Sequence, residues 1–296
     1  MNETKNDMSV SLSEIQQKEL EILKAVVALC ERYNIRYYMD AGTLLGAVRH
    51  KGPIPWDDDV DIAMLRPDYE RFCRIAAKEL PAPLKLVNGK TTRGYYHLWS
   101  KVHDSGTTFV EEENLTSVRK DGLTGVWVDI FPYDGVSSSR VKNGLFRLWL
   151  RCMKPVDWVL RTQPEDVDSA KGKLVFLLLG WLKEKYPYYW ATDKIEGFLS
   201  KRAQNGKTYE GYMEGVRWYT KNGLPGSVFG AGTPLAYEDT TFIAPSDWDG
   251  YLKFVYGDYM TPPPPEKRNS GHHIAYVNLH KPVAEFVAER MAERDG

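Results

Sequence analysis

The chain has 296 residues, enough for one large domain with insertions or for two small domains that each bury a core. Its formal net charge is −1, so composition gives no indication of a nucleic-acid partner held by bulk electrostatics. The 3 Cys are widely separated and the polar N-terminus shows no secretory signal, so we expect neither structural zinc nor a disulfide framework. A reducing cytoplasm is the expected location.

The first predicted element is a helix with a capping box that starts at Ser13 and with apolar residues at helical spacing up to about Tyr33. A strand over residues 35–39 follows. Gly42 then permits a tight turn. The short helix predicted over 43–49 directs its N-terminal amide groups at whatever lies beside the strand, which suits an anion.

Further strands and helices alternate along the chain. Strands are predicted over 60–65, 84–88, 97–103, 107–110 and 126–131, and helices over 68–80 and 248–256. Strands separated by helices indicate an α+β or α/β fold in which helices cover a sheet.

Two strongly apolar segments, 145–150 and 174–182, are flanked by Lys or Arg. The second is too short to span a bilayer, which needs about 20 apolar residues. An amphipathic anchor on the inner face of the cell membrane is one interpretation. A buried helix pair is the simpler interpretation, and we expect it here.

The most informative stretch runs from residue 40 to residue 65, where a Gly-Thr turn precedes Asp57, Asp58, Asp59 and Asp61. The period of two along a strand puts Asp59 and Asp61 on one face, where they repel unless a cation or proton lies between them. Oxygen ligands suit Mg²⁺ or Mn²⁺, and Mg²⁺ is usually shared with substrate phosphates. We therefore predict one or two such ions and a nucleotide ligand. The alternative is a solvated turn with Asp61 capping the strand.

The segment GVWVDIFPYDG, residues 125–135, contributes a third acid. Asp129 is a lone carboxylate in an apolar strand, and a charge rarely lies there without a partner. If this strand lies beside the strand at 60–65, Asp129 faces Asp59 and Asp61 and completes a three-carboxylate cradle. The alternative is that Asp129 caps the turn at Pro132.

These residues carry a family resemblance. Gly42-Thr43, Asp59-x-Asp61 and a distant strand-borne Asp129 resemble the nucleotidyltransferase superfamily. More narrowly, GTLLGAVRHKGPIPWDDDVDIAM, VDIFPYDG and DWDGYLKFVYGDYMTPPPPEKR resemble the LicD family of phosphocholine transferases, which is similar to the fukutin-related enzymes. The resemblance implies a nucleotidyltransferase-like mixed β-sheet flanked by helices, with helical additions in the middle and C-terminal parts.

The resemblance covers about residues 35–135 and 240–270. We accordingly predict a catalytic core over 1–135, a mainly helical insertion over 136–235 that contains the acceptor region, and a C-terminal segment over 236–296 that packs on the core.

The activity implied by the resemblance is metal-dependent transfer of phosphocholine from CDP-choline to a hydroxyl of a cell-surface glycan or its lipid-linked precursor, with release of CMP. Teichoic acid, lipopolysaccharide and capsule are glycans of this kind. Transfer of ribitol phosphate or glycerol phosphate from a CDP donor is one alternative. True nucleotidyl transfer to a small molecule or a protein is another. A catalytically silent binding module is disfavoured because the three acids are intact.

The resemblance also implies roles for individual residues. Asp59 and Asp61 would be metal ligands, and Asp129 would be a ligand, the base for the acceptor hydroxyl, or both. Gly42 and Thr43 would bind phosphate.

Four further residues are candidates for substrate contacts. Arg49 would pair with the diphosphate or, equally, lie in a solvated turn. For Lys101, which has apolar neighbours, a phosphate contact is favoured over a surface position. Trp56, beside the acidic motif, and Arg268 are candidates for substrate contact. A choline head group also needs aromatic faces for cation–π attraction. Aromatic residues that offer such faces, with packing as the simpler interpretation, are Trp181, Tyr186, Tyr188, Tyr189, Trp190, Tyr212, Trp218 and Tyr219.

Overall fold

The structure is a computed structural model. It describes residues 10–92, 95, 97–111, 125–137, 139–164, 167, 169–201, 208–211, 224–269 and 273–295. The helices in these ranges are α1 (Leu12–Arg32), α2 (Ala41–His50), α3 (Arg66–Glu79), α4 (Arg140–Arg161), α5 (Ala170–Leu179), α6 (Leu182–Lys185), α7 (Trp190–Ser200), α8 (Trp248–Tyr256) and α9 (Val283–Asp295). The strands are β1 (Tyr38–Met39), β2 (Asp61–Leu65), β3 (Leu84–Val87), β4 (Ser100–Asp104), β5 (Thr108–Glu111), β6 (Trp127–Gly135), β7 (Thr208–Gly211), β8 (Leu224–Pro225), β9 (Thr233–Tyr237), β10 (Thr240–Ala244) and β11 (Ile274–Asn278).

A mixed sheet forms the centre of the protein. Its strand order is β1-β2-β6-β4-β3, and β7 pairs with both β6 and β8. Strands β2 and β6 are parallel, whereas β1 is antiparallel to β2 and β4 is antiparallel to β3 and β6. Helices α1, α2 and α3 contact this sheet. The expectation of a mixed β-sheet flanked by helices is confirmed. The remaining strands form two separate pairs, β9 with β10 and β5 with β11.

Strand β6 lies inside the sheet, and all of its residues are buried. A strand buried on both faces is normally apolar throughout, so its two aspartates need specific partners. Asp134 has one in Arg66, whose Nε and Nη2 donate to the two carboxylate oxygens at 2.7 and 2.6 Å. The partners of Asp129 belong to the candidate site described below.

Helix α1 begins earlier than predicted. Ser11 is the N-cap, since its hydroxyl accepts a hydrogen bond from the Glu14 N–H at 3.3 Å and the Glu14 carboxylate accepts one from the Ser11 N–H at 2.8 Å. The prediction of a capping box at Ser13 is therefore wrong. Ser13 already lies in the first helical turn, because the Ser-x-x-Glu pair satisfies the terminal amide groups two residues before it.

Two strands beside the acidic motif are shorter than predicted. The strand predicted over 35–39 is reduced to β1, which has ladder partners only at Ala63 and Ile62. Strand β2 begins at Asp61, because the preceding residues form a turn in which the Asp57 N–H donates to the Ile54 carbonyl at 3.0 Å. Asp59 is consequently not part of the strand.

The middle region is mainly helical. One side of α4 packs on α7, where Phe146 stacks on Phe198 with ring centroids 4.8 Å apart. Its C-terminal half contacts α5 through the rings of Trp158 and Phe176. The segments expected to form a buried pair lie in α4 and around α5, and that expectation is wrong, because Leu145 is 62% exposed and Leu177 is 80% exposed. In the described ranges, no helix combines the length and the apolar character needed to cross a bilayer.

Helix α8 matches the predicted range and packs on α2. Its N-cap is Asp247, whose carboxylate accepts a hydrogen bond from the Gly250 N–H at 2.9 Å. The C-terminal segment thus contacts the part of the chain that carries the acidic motif. Strands β7 and β8 of the middle region extend the central sheet. The division at residues 135 and 235 stays a prediction.

Candidate active site

Three charged residues lie in one row across the sheet. The parallel register of β2 and β6 places Asp61 opposite Asp129, and the antiparallel register of β4 places Lys101 on the other side of Asp129. Paired positions on adjacent strands direct their side chains to the same face of a sheet. The two acidic strands are neighbours, which is the condition on which the facing of Asp129 and Asp61 depended. The alternative that Asp129 caps a turn at Pro132 is wrong, because both residues lie within β6.

Asp59 joins this group from outside the sheet. Because β2 starts at Asp61, the period-of-two argument does not place Asp59 beside it. The two carboxylates interact nonetheless. Burial is the largest cause of the raised pKa of Asp61, and the negative charge of Asp59 is the second largest. The charges of Asp129 and Asp57 also act on Asp61. We define the acidic cluster as Asp57, Asp58, Asp59, Asp61 and Asp129.

Asp61 is a buried acid whose hydrogen bonding is incomplete. Its side chain is buried, and its Oδ1 atom has no hydrogen-bond partner among the residues that the structure describes. Burial raises its pKa well above the usual value, and the charges of Asp59 and Asp129 add to this effect. Holding such a carboxylate in its charged form requires a compensating positive charge nearby.

This donor set fits a hard divalent cation. Carboxylate oxygens are the ligands that Mg²⁺ and Mn²⁺ prefer, and a cation would relieve the repulsion within the acidic cluster. Across the described ranges, no three His, Cys, Asp or Glu side chains are arranged so that they could hold a metal by themselves.

Asp129 contrasts with Asp61 because both of its oxygens have donors. The indole Nε1 of Trp99 donates to Oδ1 at 2.5 Å, and the indole Nε1 of Trp127 donates to Oδ2 at 2.7 Å. The Lys101 ammonium lies 3.5 Å from Oδ2 and 3.8 Å from the centroid of the Trp127 ring. These donors fix the orientation of the carboxylate. The sequence prediction missed both indoles, although Trp127 is two residues before Asp129 and hence on the same strand face.

Helix α2 contributes Gly42 and Thr43. A Cβ atom at Gly42 would lie 2.6 Å from the Asp57 Oδ2 atom, so the close approach of this carboxylate to the first turn of α2 requires glycine. The Thr43 hydroxyl oxygen accepts a hydrogen bond from the Asp61 N–H at 2.8 Å. Thr43 thereby fixes the start of β2 relative to α2. The phosphate contacts predicted for these two residues stay predictions.

Asp40 is a buried acid that the prediction did not single out as functional. It precedes α2 and accepts hydrogen bonds from the Tyr251 and Tyr133 hydroxyls, the latter at 3.2 Å. Burial raises the pKa of Asp40 to about 6, although these hydrogen bonds act in the opposite direction. Asp40 links α2, β6 and α8, and its bonding pattern is that of a structural group.

Three tentative site residues are brought together beside the acidic cluster. The guanidinium carbon atoms of Arg49 and Arg268 lie 5.8 and 5.1 Å from the centroid of the Trp56 ring. Arg49 is held in place by a hydrogen bond from Nη1 to the Tyr259 carbonyl oxygen at 3.2 Å. We call the group Arg49, Trp56 and Arg268 the arginine–tryptophan clamp. It places two guanidinium groups at the ring of Trp56, the residue directly before Asp57.

Glu19 of α1 is a functional candidate that the sequence prediction missed. Its side chain is buried, and its Oε2 atom has no hydrogen-bond partner in the described ranges. Burial raises its pKa well above the usual value, and the charges of Asp59 and Asp58 contribute next. The sequence does indicate that Glu19 is buried, because it lies four residues after Ile15 and hence on the apolar face of the helix.

The aromatic residues considered for a choline cage pack within the middle region. Tyr186 stacks on Trp190 with centroids 4.4 Å apart, and both rings contact the cluster around Val156 and Leu160. Tyr188 and Tyr189 contact each other edge to face. Trp181 is exposed. Tyr212, Trp218 and Tyr219 lie outside the described residues. Of the predicted aromatic candidates, Trp56 is the one that the structure places beside the acidic cluster.

Comparison with known proteins bears on this geometry. The family described as LicD/FKTN/FKRP, nucleotidyltransferase domain, matches residues 34–166. The chain is also 31% identical over 284 residues to the lipopolysaccharide cholinephosphotransferase LicD of Haemophilus influenzae, an alignment that covers 90% of this chain and 98% of that relative. The chain belongs to the LicD family. The resemblance predicted from the motifs is thus confirmed, and so is the expectation of a transferase.

A shorter similarity extends to the animal branch of the LicD family. The chain is 44% identical over 48 residues to the ribitol 5-phosphate transferase FKRP of human and of mouse. This alignment covers 16% of the chain and 10% of those relatives. The range that matches the family contains Asp59, Asp61 and Asp129, whereas Arg268 lies beyond it.

Proposed function

We propose that this protein transfers phosphocholine from CDP-choline to a hydroxyl of a cell-surface glycan or its lipid-linked precursor and releases CMP. The observation that carries the proposal is Asp61, a buried carboxylate with an unpartnered oxygen, paired with Asp129 across two parallel strands. Full-length similarity to a cholinephosphotransferase supports the choice of phosphocholine.

The acidic cluster supports a metal-dependent reaction. Asp59 and Asp61 would hold Mg²⁺ or Mn²⁺, with Asp129 as a further ligand or as the base. Such an ion, when bound with the donor, supplies Lewis acidity that stabilises the negative charge on the departing CMP.

The chain's own residues would perform the remaining tasks. The two guanidinium groups of the arginine–tryptophan clamp match phosphate oxygens and would orient the donor diphosphate, with Gly42 and Thr43 on its other side. The acceptor hydroxyl attacks the phosphorus that bears choline, and the bond from that phosphorus to the CMP oxygen breaks. If Asp129 is not a ligand, it would take the hydroxyl proton, and the two indoles would hold its carboxylate in position.

Two alternatives use the same site. Transfer of ribitol phosphate or glycerol phosphate would strike the same phosphorus, and the similarity to ribitol 5-phosphate transferases supports this wider class. In nucleotidyl transfer the acceptor would attack the phosphorus that is bonded to the nucleoside. A nucleoside triphosphate would then release pyrophosphate. The acids alone do not discriminate between these reactions.

A release assay discriminates between them. Purified protein with Mg²⁺ or Mn²⁺ is given CDP-choline, CDP-ribitol, CDP-glycerol or CTP, each with and without a glycan extract that contains lipopolysaccharide. We expect metal-dependent CMP from CDP-choline that increases with the extract. CMP from a different CDP-alcohol alone would replace the proposed donor, and pyrophosphate from CTP alone would overturn phospho-alcohol transfer.

A further inference from the structure

Helices α4 and α5 present apolar side chains to solvent. On α4, Val141, Leu145 and Leu148 recur at i, i+4 and i+7, and they are 71%, 62% and 58% exposed. This spacing puts them on one face of the helix. The opposite side of α4 is anchored to the protein through Phe146 and Leu150, which pack against α7. Val141, Leu145 and Leu148 therefore form an apolar stripe that faces solvent.

Helix α5 repeats this arrangement. Leu174, Leu177 and Leu178 are 56%, 80% and 62% exposed, and Trp181, seven residues after Leu174, is 57% exposed. Large apolar side chains scattered singly on a surface need no explanation, but clustered ones mark interaction sites. We call these exposed side chains of α4 and α5, together with Trp181 at the start of α6, the apolar face. Its members are Val141, Leu145, Leu148, Leu174, Leu177, Leu178 and Trp181.

The charge of the same helices is strongly positive. Helices α4, α5 and α6 carry ten Lys or Arg and two acidic residues, whereas the whole chain has a net charge of −1. Three further acids of the 140–185 segment lie between α4 and α5, so the segment as a whole carries a net +5 and the remainder of the chain carries −6. An apolar stripe bordered by Lys and Arg is the pattern of a helix that binds an anionic bilayer surface.

The length of helix α5 fits a surface contact. Helix α5 has 10 residues, which at 1.5 Å per residue span about 15 Å, half of the hydrocarbon thickness of a bilayer. Trp181, at the end of the apolar face, is of a residue type enriched at the boundary between lipid and water. Helix α5 would therefore lie on the bilayer and not cross it. Helix α4 has 22 residues, but its six Lys or Arg oppose crossing.

A second copy of the chain is a poorer occupant of the apolar face. A twofold interface would place the same patch on both subunits, so two strongly basic surfaces would meet. The repulsion between them opposes the gain from burying the leucines. Anionic lipid head groups instead attract each Lys or Arg near the surface.

We propose that the apolar face docks this protein on a bilayer that contains anionic lipid. A link between docking and a lipid-linked acceptor rests on the proposed function, but the docking itself does not. Binding to vesicles needs no turnover, so docking and catalysis are tested by separate measurements.

The test is co-sedimentation of the full chain with phosphatidylcholine vesicles prepared with and without phosphatidylglycerol. The variants are Leu145→Glu and Leu177→Glu, and the control is Phe254→Glu, an exposed apolar residue on α8. We expect binding to the anionic vesicles that weakens with added salt, a loss of about tenfold for each leucine variant, and an unchanged control. Because the substituted side chains are exposed, circular dichroism melting should show the same folded protein.

Several results would overturn the proposal. Wild-type protein that stays in the supernatant with anionic vesicles excludes docking, and leucine variants that bind as well as wild type exclude the apolar face. Size-exclusion chromatography provides the remaining comparison. A wild-type dimer that Leu145→Glu converts to a monomer, without vesicle binding, would assign the face to a second copy of the chain.

Discussion

At the scale of single residues, the buried carboxylates of this protein fall into two groups. Asp40 and Asp129 are surrounded by donors, two tyrosine hydroxyls in one case and two indole N–H groups with a lysine in the other. Asp61 and Glu19 each have a buried oxygen without a partner in the part of the chain that the structure describes. A buried carboxylate without donors is either protonated or compensated by a cation. Asp61 and Glu19 therefore mark the positions where a proton or a cation is needed to compensate a buried carboxylate.

Replacing Glu19 by Gln tests this distinction through the pH dependence of stability. The pKa of Glu19 is raised in the folded protein, so the folded state keeps the proton while the unfolded state releases it above about pH 4. The stability of the wild type therefore falls as pH rises from that value towards the folded-state pKa. Gln resembles the protonated form, and we expect Glu19→Gln to raise the free energy of unfolding by about 1–3 kcal/mol at pH 8 in EDTA.

Denaturant unfolding at pH 4 and pH 8 measures the effect. The two proteins should have nearly equal stability at pH 4. Glu21→Gln is the matched control, since Glu21 is an exposed residue of the same helix and its replacement should change stability little at either pH. A Glu19→Gln protein that is less stable than the wild type at pH 8 would show that the carboxylate is stabilised by a partner.

At the scale of elements, α2 is the part that assembles the site. Its first turn receives the Asp57 carboxylate against Gly42, and Thr43 binds the backbone at the start of β2. Its last turn carries Arg49 towards Trp56. One short helix thus positions acids at one end and a guanidinium group at the other.

The close approach at Gly42 makes a specific prediction. In Gly42→Ala the new Cβ would lie 2.6 Å from the Asp57 Oδ2 atom, so the Asp57 carboxylate must leave its position in the acidic cluster. We expect a loss of about 1–3 kcal/mol in the free energy of unfolding and a large loss of CMP release. Thermal unfolding and the release assay measure the two effects.

The matched control is Gly144→Ala on α4. A Cβ atom at Gly144 meets nothing within 4 Å, so alanine should stabilise the helix by about 0.5–1 kcal/mol and leave CMP release unchanged. If Gly42→Ala behaved like this control, the assigned packing of Asp57 against α2 would be incorrect.

At the scale of the whole molecule, the parallel pair β2–β6 has different polar groups at its two ends. Asp61 and Asp129 lie near the strand starts, whereas the buried Arg66–Asp134 ion pair lies near the strand ends. A buried pair contributes little net stability, but the removal of one partner leaves an uncompensated charge. The ion pair thus belongs to the scaffold, away from the acidic cluster.

Arg66→Ala should accordingly lower the free energy of unfolding by about 3–5 kcal/mol. Arg36→Ala is the control, because the Arg36–Asp68 pair has an Arg side chain that is 61% exposed and should contribute less than about 1 kcal/mol. Urea unfolding of both variants measures the difference. Equal effects would mean that the Arg66–Asp134 pair is not buried as described.

The sequence pattern predicted helix α8, because apolar residues at helical spacing and the residues that end a helix specify such an element locally. The mixed sheet was implied by the family resemblance, and the pairing of the two acidic strands was a condition that local patterns cannot establish. The sequence pattern did not predict that Asp59 lies outside β2 or that Ser11 caps α1, since such boundaries depend on which amide groups find partners. Glu19 and the two indoles were missed because their roles arise from contacts between distant segments. The exposure of Leu145 and Leu177 was missed because an apolar run does not reveal whether another element covers it.

The measurement that tests the central claim most directly is CMP release from CDP-choline by wild type, Asp61→Asn and Asp239→Asn, with Mg²⁺ and with EDTA. Asp239 is an exposed aspartate paired with Lys24, so its replacement controls for the loss of one carboxylate. The account predicts release that requires Mg²⁺, a loss of about 10³-fold or more in Asp61→Asn, and an unchanged Asp239→Asn. Without metal, Asp61→Asn should be at least as stable as the wild type because it removes a repelled charge. Full turnover by Asp61→Asn, or by the wild type in EDTA, would contradict the assignment of the acidic cluster as the metal site of a transferase.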